Sequence, residues 1–190
     1  ASGKTLSGAI TVTAGSIKLD ETGTLASTVE MSGGTLDADK SLTISGALTQ
    51  SGDTTIDVLD NKTLTYSGAP LSLGANTLTM SGGGTFYNSD NLTLSAESIL
   101  KLDGIGKVEK VYVSENLTNG FIDVNENTTI QTFSQTKSSR IDIADGKSLT
   151  LTDSFEVPAD QTMELYGSGG GTINIGDRKS TRLNSSHTSI

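Results

Sequence analysis

The chain has no cysteine and no tryptophan, two prolines, and one histidine among 190 residues. Without cysteine there is no disulfide framework, no thiolate metal site and no thiol nucleophile. The histidine is His187, so a nucleophilic triad in the preceding residues would have no imidazole base. Aromatics are sparse too. Four Phe and four Tyr make 4% of the chain, too few for the thick core of a β-sandwich. Positive charge is also short: 13 Lys and Arg against 22 Asp and Glu give a formal net charge of −9. Basic residues are scattered singly except for Arg178-Lys179 with Arg182. That excludes the basic stripe with which nucleic-acid binders neutralise phosphates, and direct insertion in or binding to an anionic membrane is not expected. No apolar run approaches the roughly 18 residues of a membrane helix. The chain starts at Ala1 without a basic-then-apolar leader, so a processed chain or a fragment of a longer repeat array is expected.

Thr (28), Ser (25) and Gly (22) dominate instead. Leu, Ile, Val and Phe still fill 45 positions, clearing the roughly 20% below which chains stay disordered. Residues 177–187, Asp-Arg-Lys-Ser-Thr-Arg-Leu-Asn-Ser-Ser-His, resemble one reading frame of a widely used short-read sequencing adapter. On that reading the native body spans residues 1–176, and 177–190 is a non-native polar tail that does not pack on it. The body then carries 10 basic and 21 acidic residues, with no histidine and a single arginine, Arg140.

Three units recur along the body. Ser/Thr-Leu-Thr-apolar-Ser-Gly occurs at 41–46, 63–68 and 77–82, with looser copies at 91–95 and 148–152. Gly-Thr-apolar occurs at 23–25, 34–36, 84–86 and 171–173, and apolar-Asp-apolar at 56–58, 122–124 and 141–143. Each alternates apolar with polar, the period of a strand with one buried face. β-Branched residues fill the strands, and Gly, Asn and Asp punctuate them every few positions. No apolar period of 3.6 is sustained, so no helix is expected. Most strands read as only three to five residues long. The pattern therefore predicts an all-β fold, a right-handed parallel β-solenoid (β-helix) with a thin aliphatic column, rather than a sandwich of hairpins. Similar units recur at coil-like separations: Ile17 to Leu36 to Ile56 gives steps of 19 and 20, Ile122 to Ile141 one of 19, and Leu42 to Leu64 one of 22. The steps of 14 from Leu64 to Leu78 to Leu92 are too short for one coil, so rungs vary or strands change face. Residues 97–137 fit worst and are expected as a bulged rung or an excursion from the stack. Leu42, Leu64, Leu78, Leu92 and Leu149 are expected to point inward.

Candidate chemistry is thin. Carboxylate pairs at Asp37/Asp39, Asp57/Asp60 and Asp142/Asp145 could serve glycoside hydrolysis, but Asp beside Asn, Gly or Lys reads as turn capping of backbone amides. Asp123-Val124-Asn125-Glu126-Asn127 is an oxygen-rich turn without the Gly and distal Glu of a calcium loop. Gly169–Asn174 only partly matches the nonapeptide calcium repeat. Gly104–Glu109 fails the last glycine of a dinucleotide loop; Gly104 to Lys110 could instead serve as a binding loop. No catalytic, cofactor-binding or metal residue is assigned, and no cofactor is expected. The outward pairs Thr11/Thr13, Thr63/Thr65 and Thr77/Thr79 would stack as a hydroxyl ladder. Unequal steps, with Lys62, Asn91 and Ser148 in or beside the pattern, are expected to interrupt it after two or three rungs.

The Leu-Thr-Ile-Ser-Gly and Gly-Thr-Leu-Asp units, the missing cysteine and the acidic charge resemble the repeat regions of bacterial secreted proteins, namely autotransporter passengers and haemagglutinin-like adhesins. The resemblance spans residues 1–176 and implies an extracellular, cell-surface structural or adhesive stalk that is not an enzyme. Its partners would be host or environmental glycans or surface proteins. Two alternatives are a glycan-degrading β-helix enzyme, marked by carboxylates with Arg or Lys on one face, and an ice-binding solenoid.

Overall fold

The computed structural model describes residues 4–6, 8–153, 155, 157–167, 170–176 and 188–189. Among them there is no helix. Short parallel strands stack in about seven turns, so the chain is a β-solenoid. Each coil contributes to three faces. The first runs from Lys4–Leu6 through Gly23–Leu25, Leu42–Ile44, Thr63–Tyr66 and Thr85–Asn88 to Ser148–Leu151 and Thr172–Ile175. The second begins with Ile10–Val12, Val29–Met31 and Leu48–Gln50. The third stacks Ser16–Leu19, Thr35–Ala38, Thr54–Val58, Thr77–Ser81, Ile99–Leu102, Phe121–Val124, Ser139–Ile143 and Met163–Gly167.

Alternation decides which residues enter the core. Leu42, Leu64, Leu78, Leu92 and Leu149 are all buried, as their spacing requires. On the third face one column reads Ile17, Leu36, Ile56, Met80, Leu102, Val124, Ile143 and Gly167. Coil length is therefore not constant: the shortest steps, such as Ile17 to Leu36, are 19, and the longest, Ile56 to Met80 and Ile143 to Gly167, are 24. The short steps between successive Leu-Thr units are changes of face within a coil. Leu64 pairs with Phe86 on the first face, while Leu78 pairs with Leu100 on the third. The column is not purely aliphatic, because Tyr66, Phe86 and Phe133 are buried in it.

Variation in coil length is absorbed at the corners. Residues 97–137 are not an excursion: Leu100 pairs with Ile122, and Lys107–Val113 pairs along its length with Thr128–Gln135. The irregularity is a corner. Phe86 pairs with Val108 and Leu92 with Val111, so an advance of six along one rung meets an advance of three along the next. The coil at 85–94 thus carries three extra residues there, and Lys107–Val113 turns the same corner as one strand with Val108 and Glu109 both buried. Asn88 fills the mismatch. Its side-chain amide donates to the Lys110 carbonyl at 2.8 Å and accepts from the Lys110 amide at 3.1 Å, replacing a ladder pair. Asn88 is 1% exposed. Asn88→Ala should therefore orphan both Lys110 groups and cost about 2–3 kcal/mol, read as a lower denaturant midpoint.

The second face breaks between Leu48–Gln50 and Leu71–Ser72, which are not laddered to each other. Tyr66 repairs the gap: its hydroxyl accepts from the Leu48 amide at 3.0 Å and donates to the Ala69 carbonyl at 2.5 Å. Burial, outweighing the Leu48 hydrogen bond, pushes the phenol above its ordinary pKa, so it stays a donor.

Among the described residues every strand pairing is parallel except one. Thr188–Ser189 runs antiparallel against Glu164 and Leu165. At those two positions the tail contacts the body's third face, contrary to the expectation that it stays off; residues 177–187 and 190 lie outside the described residues.

Candidate functional site

Outward positions of a solenoid form columns, because register carries each rung's exposed side chains onto the next. On the first face Thr24, Thr43 and Thr65 stack, and the column then meets Tyr87. Beside it Thr63 and Thr85 stack and meet Lys107. Thr77 and Thr79 are not part of this ladder. They lie on the third face, where Thr35, Thr55 and Thr79 precede Lys101. Thr11 lies on the second face, in register with Glu30. Ser16 is in register with Thr35, so the third-face ladder runs four rungs before Lys101, one more than the two or three expected, and the first-face ladders end at Tyr87 and Lys107.

The carboxylate pairs divide differently from the expectation. Asp37, Asp57 and Asp142 are not turn residues; alternation puts them outward within strands of the third face. Their neighbours come from adjacent rungs, Asp37 opposite Asp57 and Asp142 opposite Asp123. Asp39, Asp60 and Asp145 do sit in bends or turns. Amide capping occurs at other Asp residues: Asp53 accepts from the Thr77 amide at 2.7 Å and Asp90 from the Asn91 amide at 2.8 Å.

At the first end of the third face Lys18 forms an ion pair with Asp39 at 2.5 Å. The hydrogen bond from Lys18 holds Asp39 below the usual carboxylate range. Burial, with Asp39 and Asp57 alongside, raises Asp37 above it. On acidification Asp37 therefore takes up a proton before Asp39. Lys18 is exposed and Asp39 only half-buried, so solvent screens the pair and it is worth little to stability.

The oxygen-rich turn at 123–127 spends its groups on the protein. The Asn125 amide donates to Asp123 at 3.2 Å, Glu126 pairs with Lys147 at 2.6 Å, and Asn127 accepts from the Ser148 amide at 2.9 Å. Of Gly104 to Lys110, residues 104–106 form the turn at the corner and 107–110 open the strand Lys107–Val113. Gly169–Asn174 lies partly outside the described residues, and its later part enters the strand Thr172–Ile175.

The densest chemistry lies farther along the third face. Two outward columns run side by side: Ile99 opposite Phe121, with Arg140 and Glu164 beyond, and Lys101, Asp123, Asp142, Tyr166. The Arg140 guanidinium lies 5.3 Å from the Phe121 ring centroid and 4.5 Å from that of Tyr166. It donates through Nε and Nη2 to the two Asp142 oxygens at 3.1 and 2.9 Å, a planar fork on a carboxylate. That hydrogen-bonded pair raises the guanidinium's pKa further. The Tyr166 hydroxyl donates to Glu164 at 3.0 Å, which raises the phenol's pKa. Motif reading singles out Arg140 and Asp142 but passes over Phe121 and Tyr166. A signal exists for Phe121, because the spacing that lays Ile122 on Ile141 also aligns Phe121 with Arg140. The longer coil that brings Tyr166 alongside Asp142 has no counterpart in the repeat spacings.

Compared with models of known protein families, with curated proteins and with solved structures, the chain matches none.

Proposed function

We propose that this chain is a structural and adhesive segment of an extracellular protein displayed on a bacterial surface, and that it is not a catalyst. The observation that carries the reading is the parallel stack, continuous along its first and third faces, in which inward columns persist while outward columns change character along the axis. Hydrogen bonds run along the axis between rungs about 4.8 Å apart, which suits a stiff spacer presenting side chains at intervals. Four ion pairs tie charges within and between rungs, which supports the same reading: Lys18 to Asp39, Lys107 to Glu109, Arg140 to Asp142 and Lys147 to Glu126.

The rival reading, a glycan-degrading solenoid, draws on one feature. Asp37 and Asp39 have proton affinities displaced in opposite directions, as an acid and base pair requires. The test is incubation of the purified chain with neutral and acidic polysaccharides. No new reducing or unsaturated ends are expected. Reproducible release of such ends, abolished by Asp37→Asn or Asp39→Asn, would establish the enzyme reading instead.

A further inference from the structure

We propose that the third face around Phe121 and Arg140 is a binding platform for a neutral oligosaccharide lying along the solenoid axis. The inference rests on the adhesive reading and names the ligand class for that surface. Phe121 is the outlier among the phenylalanines. Phe86 and Phe133 are in the core and Phe155 packs against it, whereas Phe121 alternates outward opposite Ile99. Outward positions on earlier rungs of this face are Thr, Ser, Lys or Asp, so two apolar side chains in register here form a local apolar strip. Beside the strip is the sole arginine of residues 1–176, which lies against the Phe121 and Tyr166 rings and is forked onto Asp142.

That fixed pair suits hydroxyl ligands. Two of the five guanidinium N–H groups are spent on Asp142, and the others remain as donors in a known plane. The side chain of Arg140 is 41% exposed and that of Asp142 27%, so donors and acceptors reach solvent together. Vicinal sugar hydroxyls both donate and accept, and the C–H face of a pyranose stacks on an aromatic ring. Charge decides between neutral and ionic glycans. Arg140 is neutralised by Asp142, Lys101 lies in register with Asp123, and the chain is strongly acidic, so the net field here disfavours a polyanion. Rungs recur about every 4.8 Å, close to the length of one pyranose unit, so consecutive sugars meet consecutive rungs.

A cross-rung brace made of the same residues would act on stability alone, which separates it from a ligand site. Isothermal titration of the full chain with neutral hexasaccharides, β-1,4-linked glucose, mannose and N-acetylglucosamine, and with hexagalacturonate provides the readout. Saturable binding of at least one neutral probe is expected, tighter than that of the polyanion. Phe121→Thr and Arg140→Gln should each weaken it about tenfold while circular dichroism and cooperative melting persist. Thr43→Val, on the first face, should leave it unchanged. Absence of binding at millimolar probe, tighter binding of hexagalacturonate, or unchanged affinity in both platform variants overturns the proposal. Adhesion to cells retained by Phe121→Thr also overturns it while leaving the adhesive reading standing; cleavage of a probe would sink that reading instead.

Discussion

Leu78→Asp should abolish cooperative folding or lower stability by more than about 4 kcal/mol, whereas Thr79→Asp, one residue along, should change it by less than about 0.5 kcal/mol. Leu78 is 1% exposed and lies in an interior column between Thr54 and Leu100. A carboxylate there has no cation within the column, and the parallel strands above and below leave it no path to water. It must either ionise unsolvated or hold a proton at neutral pH, and both are expensive. Thr79 faces outward between Thr55 and Lys101, where a carboxylate stays hydrated and gains a cationic neighbour. Urea denaturation of both variants checks the pair. Similar midpoints for the two would refute the inward assignment of the whole Leu-Thr repeat.

The second large effect belongs to the corners. A Cβ on Gly46 would stand 1.9 Å from the Ser27 carbonyl oxygen and 2.4 Å from its carbon. Both are backbone atoms of the coil beneath, which cannot swing aside as a side chain would. Gly68 repeats the situation one coil later, 2.3 Å from the Gly46 carbonyl oxygen. The glycine of the Ser-Gly unit is thus demanded by close approach of stacked corners. Gly46→Ala should cost at least about 3 kcal/mol, because accommodating it separates two rungs. Gly15→Ala provides the contrast. Gly15 has φ +81 and nothing within 4 Å of a new Cβ, so only left-handed strain applies, about 1 kcal/mol. Thermal melting that ranks Gly15→Ala as the more damaging would contradict the close-stacking account.

Placement of the candidate platform shows where legibility along the chain stops. The alternation in Phe121-Ile122-Asp123-Val124 and Arg140-Ile141-Asp142-Ile143 puts each ring or guanidinium on the same side as an Asp. The spacing between Ile122 and Ile141, one of the recurring coil lengths, lays one strand on the other. Tyr166 joins through a longer coil whose extra length is taken up before Met163–Gly167, and no repeat unit marks that step. Likewise the Thr pairs at 63/65 and 77/79 have the same local sequence, yet the chain turns a corner between them and they end on different faces. Asp37, Asp57 and Asp142 read as turn residues because Lys, Asn or Gly marks a turn a few positions away, while the strand itself runs on through them.

By itself the sequence determined the solenoid, the inward leucines, and the coil spacings that reappear as strand register. Period-two alternation of β-branched and aliphatic residues is a local property, and only parallel stacking buries every such short strand at once. Tertiary structure alone decided which outward residues become neighbours. Contact between rungs depends on the summed length of everything between them, and a corner that gains three residues, as at Asn88, shifts the later alignment until another corner restores it. Side chains that mend such corners, Asn88 against Lys110 and Tyr66 beneath the Leu48 amide, answer to partners a whole coil away. Their roles come from the packed coil, where an unpaired backbone group must find a partner or carry its desolvation cost.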